Sequence, residues 1–366
     1  MARRCALLRR AGGFLVAVLT AACVCGPSTV VSAAPVRPSG SFTPGVVEPP
    51  PLGLTLHGDV VWRSPGAADV AATSAANVDI QNIPTADGLH VKVETSPHYL
   101  PSLEYDQRLV GFLDSLTHGN ELNNLKVYVA PPGEMADSCG GLAAACFIPY
   151  EGRIYIVGQE TFGGFPTSYV LAHEYGHRIE ARRRNPPFPG GPLFWGTKRW
   201  ASVEGVCQGV EAGKYFPGDE ARNYFENPGE AFAETYAWSQ FGAGIVEWRW
   251  APSLHPSAAA YAAVRNDILD PWAPQELEMR GRLSSNRDRR AYRLRPKNDG
   301  RLQISVSGGG DLDLGLFDAR GRLLATSARR SSNERLNYLV CGNRNLRLVV
   351  LASSPPGRYR LRISMP

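Results

Sequence analysis

The sequence predicts an α+β unit, with a small mixed sheet and two long helices that carry its chemistry, followed by a small all-β sandwich. Three observations carry this. Strand-like and helix-like apolar periods alternate between residues 86 and 281, whereas short alternating runs separated by Gly, Asn and Ser turns take over from about residue 290. The charge also changes abruptly: residues 34–281 hold 17 Lys+Arg against 28 Asp+Glu, net −11, and residues 282–366 hold 18 against 6, net +12. A jump of that size at one point places a domain boundary near residue 281.

The elements follow in order. Arg3, Arg4, Arg9 and Arg10 flank an apolar stretch from Ala11 to Val24, and "VVSAAP" offers a small-x-small cleavage pattern after Ala33, so residues 1–33 read as an export signal and the mature chain is expected outside the cell. Cys23 is an alternative site of lipid attachment, and the paired arginines also suit twin-arginine export. No later run approaches the roughly 18 apolar residues of a membrane-spanning helix. Residues 34–85, beginning "PVRPSGSFTPGVVEPPPL", read as a Pro-rich linker or a short pro-segment, with wrapping around the following unit as the alternative from about Ser41.

Residues 86–281 form the first folded unit. "LHVKVETS" alternates as a strand, and Leu103, Leu109, Val110, Phe112, Leu113 and Leu116 recur at helical spacing over Ser102 to Leu116. "LNNLKVYVA" and "RIYIVGQ" add two strands. The next helix runs through "SYVLAHEYGHRIEARRR", with Thr167 or Ser168 as its cap after Pro166 and Arg182, Arg183 and Arg184 complementing the dipole at its end. A helix around residues 198–215, a helix through "NPGEAFAETYAWSQF" and another through "SAAAYAAVRNDILD" complete the unit. In the second unit, residues 282–366, "YRLRP", "LQISVSG", "LDLGLFD", "LRLVVLA" and "RYRLRIS" read as strands of an antiparallel sandwich.

Three of the seven cysteines leave with the export signal, and Cys139, Cys146, Cys207 and Cys341 remain. An even number in an exported chain favours disulfides. "CGGLAAAC" can close a local Cys139–Cys146 loop, which leaves Cys207 and Cys341 to tie the two units together.

Chemistry is concentrated in "HEYGH". Residues i and i+4 share one face of a helix, so His173 and His177 can both reach one ion at about 2.0–2.1 Å, with Glu174 on the same rim placed to take a proton from water. Gly176 leaves room for a neighbouring element. The bland alternative is an amphipathic helix with partly exposed histidines. A catalytic zinc site needs a third protein ligand and a carboxylate to orient an imidazole. "ENPGEAFAE" offers Glu230 as ligand and Glu234, one turn on, as the orienting partner. Glu230 could instead be the acid of a capping box begun by Asn227, and Glu234, Asp219, Glu220 and Glu226 are rival ligands.

"HEYGH" followed by "NPGEAFAET" resembles the gluzincin group of zinc metallopeptidases, closest to bacterial secreted and toxin-type members whose third ligand lies in a Glu-x-Phe-x-Glu segment. The metzincin pattern does not fit, because the chain continues "RIEARRRNPP" without a third histidine. The resemblance implies a zincin-like unit that holds Zn²⁺ on His173, His177 and Glu230 and hydrolyses a protein or peptide substrate with Glu174 as general base. It also implies an edge strand just before the motif helix that pairs with extended substrate, a place "RIYIVG" occupies. Some relatives use a tyrosine shortly before the third ligand to stabilise the oxyanion, and Tyr224 is in that neighbourhood; its alternative is an ordinary packed aromatic. His255 is a further candidate, with a plain loop residue as the alternative.

The second unit weakly resembles the pre-peptidase C-terminal domains of secreted bacterial peptidases, through "LDLGLFDARGRLLATS" and "GRYRLRIS". Its 17 arginines and single lysine suit an anionic polymer or an acidic protein, or a face docked on its own acidic neighbour. No nucleic-acid-binding motif is present. Two functions follow as expectations: a secreted zinc endopeptidase, broad or restricted to one target, or a surface- or wall-polymer-binding protein whose metal is structural or vestigial.

Overall fold

A computed structural model describes residue 52 and residues 78–140, 143–185, 192–285, 287–353 and 357–366. Ala33 and Cys23, and with them the export-signal reading, lie outside the described residues. Two hydrophobic cores organise the rest, one formed by residues between Leu52 and Ile268 and the other by residues between Leu283 and Met365.

The first core begins earlier than expected. Leu52 is buried, with its N–H on Glu160 Oε2 at 3.0 Å, and β1 (Asp79–Pro84) pairs antiparallel with β2 (His90–Thr95). The described part of residues 34–85 is therefore built into the unit, and the linker or pro-segment reading is corrected there. β1 was hidden because its isoleucines are three apart, which on a strand sends them to opposite faces: Ile83 is buried and Ile80 exposed.

After β2, the Ser102 hydroxyl accepts from Tyr105 N–H and starts α1 (Leu103–Ser115), which buries Tyr105, Leu109, Val110, Phe112 and Leu113. Leu103, counted in the apolar period, faces solvent. β3 (Leu125–Ala130), β4 (Ala145–Ile148) and β5 (Arg153–Val157) complete a sheet of order β1-β2-β3-β5-β4. β2, β3 and β5 are parallel neighbours, and β4 folds back antiparallel onto β5. "RIYIVG" is thus an interior strand and the expectation of an edge there is corrected. The edge belongs to β4, which Gly152, at φ 63°, returns into β5 and the Cys139–Cys146 disulfide ties to the preceding turn.

A two-stranded hairpin, β6 (Thr161–Phe162) and β7 (Phe165–Pro166), leads into α2 (Thr167–Ala181). Pro166 occupies the N-cap and no side chain caps the helix; Thr167, already helical, donates its hydroxyl to the Gln159 carbonyl. The Thr/Ser cap is corrected accordingly. At the other end Arg183 pairs with Glu121 at 2.6 Å. The single helix expected over residues 198–215 is two, α3 (Lys198–Val203) and α4 (Val206–Glu211), interrupted by Gly205 at φ 65°. Asn227 caps α5 (Pro228–Phe241) through Gly229 N–H at 3.1 Å, and Ser257 caps α6 (Ala258–Leu269). α2 and α5 pack closely at Gly176, where a Cβ would lie 2.8 Å from Ala233 Cα.

The sandwich takes β8 (Gln275–Arg282), β9 (Arg289–Leu294), β10 (Gly300–Gly308), β11 (Leu312–Asp318), β12 (Leu323–Ser327), β13 (Asn333–Val340), β14 (Leu346–Ala352) and β15 (Arg358–Met365). They form two antiparallel sheets, β13-β10-β15-β8 and β12-β11-β14-β9. Its first strand lies before the boundary at 281, because β8 contributes Glu276 and Glu278 and so counts with the acidic segment. Cys207 and Cys341 are bridged as expected. Beside them the Asp299 N–H donates to Ser202 Oγ at 2.9 Å, Lys198 Nζ donates to the Asp299 carbonyl at 3.2 Å, and Arg344 pairs with Asp299 and donates to the Ser202 carbonyl. Among the described residues no helix is long and apolar enough to cross a membrane.

Candidate metal centre

α2 and the first turn of α5 bring His173, His177 and Glu230 together, with one donor atom from each lying within 4.8 Å of the others. Both imidazoles turn Nε2 toward Glu230: His177 Nε2 is 3.2 Å from Oε1, and His173 Nε2 is 3.4 Å from Oε2. Glu230 is not engaged as a helix cap, since the Asn227 N–H donates to the Tyr224 carbonyl instead. The opposite ring nitrogens are occupied. His173 Nδ1 is 2.9 Å from Glu234 Oε2, and Tyr169 donates its hydroxyl to the other Glu234 oxygen at 2.6 Å. His177 Nδ1 is 3.0 Å from Glu180 Oε2.

Glu180 is the residue the sequence reading missed. Its signal was present, an acid three positions after His177 on the same helix, but such an acid reads as a surface ion-pair partner for Arg183 or Arg184. Here it is fully buried. A second omission is Trp250, whose ring stacks on His173 with centroids 5.9 Å apart.

The other candidates are placed as follows. Glu174 is buried beside the cluster, close to the backbone of Phe147 on β4. Tyr224 donates its hydroxyl to Glu230 Oε2 at 2.7 Å, so it reaches the centre through the ligand. Glu220 lies beside Glu230 and accepts from Asn227 Nδ2 at 2.7 Å. Asp219 accepts from Asn223 and the Ala221 N–H; neither it nor Glu226 joins the cluster. His255 packs on Trp238 and Trp248, outside it.

Burial disfavours the charged form of His173, but the hydrogen bonds of Glu230 and Glu234 outweigh it and raise its pKa to about 10. His177 shifts the same way against burial, through Glu230 and Glu180. Burial pushes Glu230 up, while the two imidazoles together hold it well below the usual carboxylate range. Glu174 and Glu180 are raised by burial, and Glu220 by burial and by Glu230, to about 7. Four carboxylates, Glu174, Glu180, Glu230 and Glu234, are 8% exposed or less around two imidazoles. Carboxyls buried in such number need compensation, which protons or a divalent cation could supply. Two imidazole nitrogens and one carboxylate oxygen, with a carboxylate behind each imidazole, form a set that could hold a metal ion. A second grouping, Cys207, Glu211 and Cys341, offers no thiolates because its sulfurs are joined.

No protein-family model matches the chain, and no curated protein does. Among solved structures it is similar to the pre-peptidase C-terminal domain of a collagenase from Bacillus anthracis, at 16% identity and a TM-score of 0.21 over 24% of this chain and 88% of that one. PliG of Aeromonas hydrophila, a periplasmic inhibitor of g-type lysozyme, matches at 10% identity and a TM-score of 0.20 over 25% and 88%. IMPa from Pseudomonas aeruginosa, in complex with an O-glycopeptide, matches at 14% identity and a TM-score of 0.19 over 45% of this chain and 23% of that one.

Proposed function

We propose that the protein is an exported zinc-dependent endopeptidase of gluzincin type. One observation carries the reading: His173, His177 and Glu230 converge with both imidazoles backed by buried carboxylates, and Glu174 stands beside them. Zn²⁺ bound to those three donors would act as a Lewis acid, activating water and polarising a peptide carbonyl.

The chain's own groups do the rest. Glu234 and Glu180 accept Nδ1–H from His173 and His177, which fixes the tautomer that leaves Nε2 as the donor atom. Glu174 accepts the proton of the attacking water and passes it to the departing amine; burial, which raises its pKa, suits it to both steps. Tyr224 holds Glu230 in place through its single hydroxyl proton and must turn away from it to donate to a developing oxyanion. The free edge of β4, whose Phe147 backbone lies close to Glu174, is placed to take an extended peptide as an added strand.

The test is zinc content measured together with peptide cleavage. The wild type is expected to bind one zinc and cleave, Glu174→Gln to bind zinc without cleaving, and His177→Ala to do neither. Stoichiometric zinc with no hydrolysis of any peptide would reassign the protein to surface or polymer binding with a structural metal.

A further inference from the structure

The outward face of the β13-β10-β15-β8 sheet carries arginine in a regular array. Along β15 the exposed positions are Arg358, Arg360 and Arg362, alternating with buried Tyr359, Leu361 and Ile363. Across the ladder to β8, Arg358 stands opposite Arg282 and Arg360 opposite Arg280, and Arg335 on β13 lies in the row of Arg362, with Ser305 between. Two acids interrupt the face: Glu278 accepts from both Arg360 and Arg362, and Glu276 accepts from Ser364. Arg280, Arg282, Arg335 and Arg358 form no ion pair among the described residues. Like charges placed directly opposite each other weaken a sheet, so this arrangement is not explained by stability.

We infer that this face binds a linear polyol-phosphate polymer laid along β15. Alternate residues on a strand are roughly 6.7 Å apart, a span of about six backbone bonds. Phosphates bridged by a three-carbon polyol are separated by the same number of bonds, so successive phosphates can meet successive guanidinium forks without a shift of register. Guanidinium pairs phosphate through two parallel N–H donors; Arg280, Arg282, Arg335 and Arg358 present theirs to solvent, and Arg360 and Arg362 would exchange Glu278 for phosphate. The other positions facing outward are Ser, Asn and Gln, with Arg301, also without an ion pair among the described residues, and a single leucine, Leu339, opposite each other at the margin. With no aromatic platform, the face lacks what holds unstacked bases, and with one marginal leucine it lacks what enters a lipid surface.

The experiment uses the full exported chain and poly(glycerol phosphate) as probe, with affinity measured between about 50 and 200 mM salt. Five unpaired arginines predict a slope of log affinity against log salt of about −4. The triple variant Arg280→Gln, Arg282→Gln, Arg358→Gln is expected to reduce the slope to about −2 and weaken binding at least tenfold, with peptide cleavage unchanged. Arg289→Gln, Arg290→Gln, Arg293→Gln, on the other sheet, removes the same charge and is expected to leave binding intact; equal loss in the two triples would overturn the inference. So would tighter binding of oligo-dT, polyglutamate or anionic phospholipid vesicles of matched charge. On the unaltered chain, the polymer should protect Arg358 and Arg280 from arginine-specific modification and leave Arg289 reactive, and the reverse pattern would also overturn it.

Discussion

The centre between α2 and α5 and the outer face of the sandwich both concentrate ionic side chains, and they treat them in opposite ways. In the first, His177, Glu180, Glu230 and Glu234 are buried and His173 is largely so, and each histidine meets a carboxylate. On the second, Arg280, Arg282, Arg335 and Arg358 stand exposed with no ion-pair partner among the described residues. A buried charge left without its partner is strongly destabilising, whereas an exposed one is solvated by water. Single changes should therefore do great damage in the centre and little on the face, and that contrast can be broken or sharpened by measurement.

The largest effect is expected at the chemistry itself: Glu174→Gln should lower kcat by about 10²–10⁴ while zinc content stays at one per chain. Next come the bridges that anchor the two regions. Removing Cys207–Cys341, which closes 134 residues, should cost about 5 kcal/mol in denaturant melts, against about 2.4 for Cys139–Cys146, which closes 7. Glu180→Gln should then weaken zinc binding by about 10–100-fold, a change that chelator competition reads directly. Arg280→Gln, by contrast, should leave the melting temperature unchanged or slightly higher.

A pH-dependent effect lies at the joint. Lys198 is buried, and burial, opposed by Asp299 and Asp267, lowers its pKa to about 7. The folded chain releases this proton near pH 7 and the unfolded chain near pH 10.5, so between those values unfolding takes up a proton and stability rises with pH. The contribution is at most about 1.4 kcal/mol per pH unit, and Lys198→Met should remove it.

How much of this was legible depended on how local the signal was. His173, Glu174 and His177 sit within one helical turn and a half, and Glu230 with Glu234 within another, so spacing alone exposed both halves of the centre. Glu180 was equally local but had a competing and commoner explanation. Sheet order was not legible at all: "RIYIVG" and "ACFI" are both plausible edges until the ladder is known, because an apolar strand of five residues looks alike with one neighbour or two. β8 escaped because its outward residues are charged and its inward ones, Leu277 and Met279, are only half-buried.

The contact between Gly176 and Ala233 sets how far apart two rigid rods stand, and that gap is what allows a carboxylate on one to reach the rings on the other. A single methyl group at position 176 would meet main chain rather than a yielding side chain, and the rods would have to separate. The smallest lesion able to silence the protein would thus leave every reactive atom in the sequence and alter only the width between them.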